Sequence, residues 1–302
     1  MPTIRVAEAD VSYRLTGAGT VTVVITQGLG FASAEWWPIQ DALSNQARVL
    51  TWDRPGYGDS GPPRSPRTVA NVAAEALGLI DVVAPHGPLV LVGHSQGGLY
   101  TNALARLGGS RVHGVALLDP ASPDNGRLRR ELPPIVFRRS GADLATRLRL
   151  ANTMARLHVI RAFKPVITKA PPFRYCQRHP PDALSSMWRH LTHPQAYRAA
   201  LAEYEELEFR TVPGDVLALG PFPQVRLAVL VHDSDVLVGQ MSAHLPRADA
   251  ERVEALWGTL LREHASLSPL ATLETVTGSG HLIHLEKPEV TTARIAALLE
   301  CQ

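Results

Sequence analysis

Apolar residues along the chain follow two alternating rhythms. VTVVITQ (Val21–Gln27), ARVLTWD (Ala47–Asp53), PLVLVG (Pro88–Gly93) and VHGVALLD (Val112–Asp119) are nearly unbroken apolar runs. Such runs mark strands buried on both faces. Between them, Val69, Val72, Ala73, Ala76, Leu77, Ile80 and Val83 recur at helical spacing. A second helical stretch runs from Gln96 to Leu107, and a shorter one lies around Trp37 to Leu43. At the start, TIRVAE and VSYRL read as a strand pair joined by a short turn. Strands alternating with helices predict an α/β architecture: a mostly parallel sheet covered on both faces.

The rhythm breaks after Asp119. From about Ser122 to Phe222 no strand pattern is visible, and prolines cluster at 133–134, 171–172 and 180–181. Helical patterns fall at about 141–161, 182–191 and 194–209, with Trp188, Tyr197, Tyr204 and Phe209 supplying bulk. The alternation returns with VRLAVLVHDSD (Val225–Asp235). A helix follows from about Arg247 to His264, with Val253, Leu256, Trp257, Leu260 and Leu261 on one face. LATLETV is then a strand and Glu289–Leu299 a final helix. The predicted organisation is a core formed by 1–121 and 223–302, interrupted by a helical insertion over 122–222.

Composition adds limits. With 302 residues, 45% hydrophobic and 19% charged, the chain can bury a large core. Thirty basic against 28 acidic residues leave a net charge of +2, with no basic block to hold nucleic acid. The densest basic stretch, Arg127–Arg139, is broken by Glu131 and two prolines and reads as a solvated loop. Two cysteines, Cys176 and Cys301, make a disulfide framework or a Cys-x-x-Cys zinc site unexpected. The charged N-terminus lacks a signal peptide's apolar region, and no apolar run reaches the ~20 residues of a membrane span. The expectation is a soluble, cytoplasmic protein.

Chemistry concentrates in LVLVGHSQGGLY (Leu89–Tyr100). Strand, Gly-x-Ser-x-Gly, then helix is a nucleophile elbow. Gly93 and Gly97 remove side chains that would collide in so sharp a turn, and the turn lifts the Ser95 hydroxyl to a helix N-terminus. A serine hydroxyl needs a base, and the base an orienting acid. In this arrangement the acid and then the histidine come later in the chain. His281, in GSGHLIHLEKP, follows the last strand, and Asp235 follows VRLAVLV. Asp233 and Asp119 compete with Asp235, which loop position and chain order favour. His284 and His94 are expected to be structural, with His94 packing beside the sheet. His190 and His193 have no carboxylates at ligand spacing, so no metal is expected. Backbone N–H groups of Gln96 and Leu29 are the expected oxyanion donors, Gly28 permitting the approach. Asp53, Asp59 and Ser60 are read as tying down their own loop.

These residues resemble the α/β-hydrolase superfamily. The resemblance rests on TQGLGFASAEWW, TWDRPGYGDSG, LVLVGHSQGG, VALLDPA, VLVHDSDVLVG and GSGHLIHLEKPE, covering roughly 1–121 and 225–302. It implies an eight-stranded, mostly parallel sheet with a helical cap over 122–222, and a Ser–His–Asp triad of Ser95, His281 and Asp235. Gln27-Gly28 replaces the His-Gly of many relatives, and His232 stands where the acid loop often begins with glycine. Epoxide hydrolases and haloalkane dehalogenases of this fold carry aspartate where Ser95 stands, so their route is not expected.

The implied activity is a cofactor-free serine hydrolase acting on an ester, lactone or thioester with an apolar acyl or ring portion. Trp188 and Tyr204 are candidate substrate-binding residues, with Gly28. The same triad could serve amide or peptide hydrolysis, or carbon–carbon bond hydrolysis or lysis. An aminopeptidase would need cap carboxylates for an ammonium, but Glu203, Glu205, Glu206 and Glu208 are read as solvated. A receptor-like binding protein with little turnover is the alternative from another class.

Overall fold

The computed structural model describes residues 1–300, and Cys301 lies outside them. Eight strands form one sheet: β1 (Thr3–Val6), β2 (Ala9–Thr16), β3 (Thr22–Thr26), β4 (Arg48–Asp53), β5 (Leu89–His94), β6 (Val112–Leu118), β7 (Arg226–Val231) and β8 (Ala271–Thr275). Their order is β1-β2-β4-β3-β5-β6-β7-β8. β1 and β2 run antiparallel, as do β2 and β4, and every pair from β4 onward is parallel. β3, β5 and most of β6 are buried on both faces, which is why they read as unbroken apolar runs.

Helices cover both faces. On one, α2 (Val69–Val83) and α3 (Gln96–Gly108) pack Val72, Leu79, Ile80, Leu99 and Leu104 against Leu91 and Leu117. On the other, α1 (Trp37–Leu43) and the helix Pro288–Ala297 set Ile39, Leu43 and Ile295 against Val23, Val92 and Leu118. Each fully buried aliphatic side chain contributes about 1.5–3 kcal/mol, so the central strands are held firmly from both sides.

Between β6 and β7 the described chain contains helices and no strand. The longest there, Pro194–Phe209, packs on Ala145–Arg156. The stretch 127–139 is not a loop: short helices Gly126–Glu131 and Pro134–Ser140 occupy it. Arg127 pairs with Glu131 and Glu263, Arg129 with Glu208, and Arg130 with Asp124. After β7 the chain turns at once into a helix, Ser234–Met241. No helix among the described residues is long and apolar enough to cross a membrane.

Candidate active site

The sharp turn is built as its glycines require. Ser95 follows β5 directly and caps α3 with φ 53° and ψ −126°. A non-glycine residue in that region is strained and persists only where its surroundings enforce it. Here the Ser95 N–H donates to the Leu118 carbonyl (3.0 Å), and its own carbonyl accepts from Gly98 and Ala121 (both 2.8 Å). A Cβ on Gly97 would strike the Thr26 and Gln27 carbonyls. Ser95 itself stays partly exposed.

β5 and β6 run side by side, with His94 paired to Leu118, so Ser95 and Asp119 leave adjacent strand ends. Asp119 is fully buried, and its Oδ2 accepts from Nδ1 of His281 at 2.5 Å. Nε2 is therefore the His281 ring nitrogen left free for chemistry. His94 also reaches this loop: its Nε2 donates to the His281 carbonyl at 2.9 Å, and its ring lies 4.8 Å from that of His281. Burial and then the neighbouring His281 push His94 down to about 3, which fits a neutral ring. His94 thus anchors the histidine loop instead of simply packing beside the sheet. His284 is buried and stacks on Trp36.

The carboxylate that meets His281 is Asp119 and not Asp235, the expected acid. Asp235 is exposed, in the first turn of helix Ser234–Met241, and its N–H donates to Asp233 Oδ1 (3.1 Å). Asp233 caps that helix and also accepts from Gly278 N (2.8 Å). Early helix formation turns Asp235 away, and His232 fills the space between β7 and Asp119. Burial alone would raise the Asp119 carboxyl, but hydrogen bonds from His232 and His281 outweigh it and hold it well below the usual carboxylate range.

The loop after β3 is clamped from below. Arg54, wholly buried, donates to the Gln27 carbonyl (2.6 Å) and the Gly28 carbonyl (3.0 Å). Gln27 Nε2 donates to the Trp52 carbonyl (2.9 Å), and the Gly30 carbonyl faces His190 Nε2 (2.9 Å). Gly28 must be glycine, because a Cβ there would lie 2.9 Å from His94 Nδ1. Gln96 is the first residue of α3, so its N–H has no partner within the helix. Its side chain donates to Tyr100 Oη (2.6 Å) and the Glu203 carbonyl (3.0 Å). Asp53 ties its own loop, as expected, and also holds Ser33 N (2.8 Å).

Glu203 overturns the expectation of a solvated carboxylate. It is fully buried on helix Pro194–Phe209, bidentate to Arg54 (3.0 and 3.1 Å) and bonded to Tyr57 Oη (2.9 Å) and Arg67 (3.3 Å). Glu208 is buried too, beside Arg129 and Asn125, while Glu205 and Glu206 pair with Arg149 and Arg210. Burial would raise the Glu203 carboxyl, but Arg54 and Arg67 win and hold it below its ordinary value. Its contribution to stability is complete above the usual carboxylate range and disappears as pH falls through the depressed value. Removing one partner of such a network strands the others, so Glu203→Gln is expected to cost about 3–5 kcal/mol in urea unfolding. A loss under about 1 kcal/mol would mean that water replaces the carboxylate without penalty.

Trp188 and Tyr204 do not meet Ser95. Trp188 lines a cavity of about 420 Å³ with Lys164, Phe173, Leu184 and Arg189, and neither Ser95 nor His281 borders it. Tyr204 is buried edge-on against Phe209. The aromatic at the site is Trp257, on helix Arg247–Glu263, partly exposed, with its ring 5.3 Å from that of His281. Among the described residues no group of histidine, cysteine or carboxylate side chains could hold a metal ion. Sequence reasoning passed over Arg54 and Glu254 and took His232 only as a departure from glycine.

Comparison with known proteins places this geometry. A model of the alpha/beta hydrolase family matches residues 23–294. The uncharacterised Bacillus subtilis (strain 168) protein YqjL is 32% identical over 108 residues, 36% of this chain and 43% of that one. The chain thus spans under half the length of that curated relative. A thermophilic esterase from Thermogutta terrifontis superposes with a TM-score of 0.63 at 22% identity, covering 99% of this chain and 98% of that one. The enol-lactonase from Burkholderia xenovorans LB400 gives 0.63 at 21%, covering 99% of each. At these identities the superpositions speak for the fold alone.

Proposed function

Because the chain belongs to the alpha/beta hydrolase family, we propose that it is a serine hydrolase cleaving an ester, lactone or thioester through an acyl-enzyme on Ser95. The observation that carries this reading is the 2.5 Å bond from His281 Nδ1 to buried Asp119, at the strand end beside the strained Ser95 turn.

In the first half-reaction Nε2 of His281 takes the Ser95 hydroxyl proton as Oγ bonds to the substrate carbonyl carbon. Charge develops on the carbonyl oxygen and is met by the N–H groups of Gln96 and Leu29. Asp119 stabilises the imidazolium that forms. His281 then returns the proton to the leaving oxygen or sulfur as the carbon–heteroatom bond breaks. Water repeats the sequence on the acyl-enzyme and releases the acid. In the free enzyme the Ser95 hydroxyl makes no side-chain hydrogen bond among the described residues, and such contacts often tighten only with substrate. Arg54 supports the oxyanion loop by occupying two of its carbonyls.

Amine recognition is disfavoured. All four glutamates of 203–208 face arginines, which leaves none to receive a substrate ammonium. The insertion 122–222 is assigned as a cap over the site. Trp257, rather than Trp188 or Tyr204, is assigned to the acyl pocket wall.

The test is turnover on p-nitrophenyl esters, lactones and acyl thioesters, with a fluorophosphonate probe run in parallel. Ester-class turnover with labelling at Ser95 is expected. Neither turnover nor labelling would favour a binding protein. In the same assay Trp257→Ala is expected to change the rank of acyl-chain lengths in kcat/KM by about 10-fold or more, since methylene-sized fits are worth about 1–3 kcal/mol. Uniform scaling of all substrates would remove Trp257 from the pocket wall.

A further inference from the structure

Behind Asp119 lies a second histidine that the proposed reaction does not yet use. His232, the first residue after β7, is 2% exposed. Its Nδ1 lies 2.6 Å from Asp119 Oδ1, and its backbone N–H donates to the same oxygen at 3.3 Å. Its Nε2 lies 2.9 Å from Glu254 Oε2, while Glu254 Oε1 accepts from Ser234 Oγ at 2.7 Å. Trp257 covers the group: its ring sits 5.3 Å from both His232 and His281.

Carboxylates only accept, so a ring with a carboxylate at each nitrogen carries a proton on both. We infer that His232 is a positioning residue, an imidazolium clamped between Glu254 and Asp119 that fixes the Asp119 carboxylate and sets the basicity of His281. The inference rests on the reading of Ser95, His281 and Asp119 as the reacting machinery and deepens it.

The physical argument has two parts. Asp119 Oδ1 is taken by His232, so only Oδ2 is available to His281, and the carboxylate cannot rotate without losing its three donors. The cation also offsets part of the Asp119 charge. Removing that cation would leave His281 facing the full carboxylate charge, which favours a positive ring. The groups facing His232 are Asp119 just after β6, Glu254 from helix Arg247–Glu263, neighbouring Asp233, and His281 across Asp119. His264 feels Asp119 from beyond. Burial opposes the His232 charge, yet hydrogen bonds to Asp119 and Glu254 push this histidine up to about 10.

The test is the pH profile of kcat/KM on an ester, for the whole 302-residue chain and its His232→Gln and Glu254→Gln variants. Glutamine keeps a neutral donor and removes the cation. The acidic-limb pKa is expected to rise by about one unit in His232→Gln. Glu254→Gln removes an anion behind the cation, so its limb is expected to move the other way, by less. A merely structural role would lower kcat in both variants and move neither limb. Folded variants with the wild-type limb overturn the inference, and if His232→Gln does not fold, an unmoved limb in Glu254→Gln does so alone. Independently of turnover, ¹⁵N-histidine NMR on Ser95→Ala protein should show both His232 nitrogens protonated at about pH 8, and one bare nitrogen there overturns the inference. Turnover surviving Ser95→Ala would instead overturn the serine reading beneath it.

Discussion

Ser95→Ala is expected to abolish fluorophosphonate labelling and lower kcat on the best ester by about 10⁶-fold, with the fold intact. The magnitude follows from the position of this hydroxyl. It is the only proposed bonding atom, and no neighbouring side chain can replace it: His94 is buried and engaged with the His281 carbonyl. Alanine keeps the hydrogen bonds of the elbow, because those to Leu118, Gly98 and Ala121 are made by the Ser95 backbone. The strained φ of the turn is held by the same bonds, so thermal unfolding should change little. Wild-type turnover in a pure, folded Ser95→Ala preparation would reject the serine mechanism.

Asp119→Asn is expected to lower kcat by around 10⁴-fold, while Asp235→Asn stays within a few-fold of wild type. The amide nearly preserves shape but can no longer hold the His281 Nδ1 proton as an anion. Because Asp119 is fully buried and also faces His232, the substitution leaves that second ring short of a charge partner. Asp119→Asn should therefore lose stability as well as rate, so kcat has to be read on the folded fraction. Asp235 is exposed and bonds only within its own helix turn. A crippled Asp235→Asn beside an active Asp119→Asn would return the acid to the turn after β7.

Features that depend on neighbours in the chain were legible before folding. Unbroken apolar runs announced β3, β5 and β6 because strands buried on two faces have no polar face to alternate. The sharp turn at Ser95 was legible because strand, glycines and helix lie within twelve consecutive residues. The His281 loop was legible because a glycine-rich turn follows the last strand. None of this needs knowledge of what lies across the sheet.

The carboxylate that faces His281, the clamp on the loop after β3 and the His232 bridge are of another kind. Asp119 and His281 are 162 positions apart, Arg54 and Glu203 149, and Asp119 and His232 113. Asp119 and Asp235 both follow apolar strands, and periodicity gives them equal standing. What separates them is that Ser234 begins a helix at once, while His232 packs against the end of β6. Glu203 shows the same difference. A glutamate on a helix reads as solvent-facing until another part of the chain brings two arginines to it. Burying a charge is favourable only when its partner is in place, and that partner is assigned by the packed fold, not by the residues beside it.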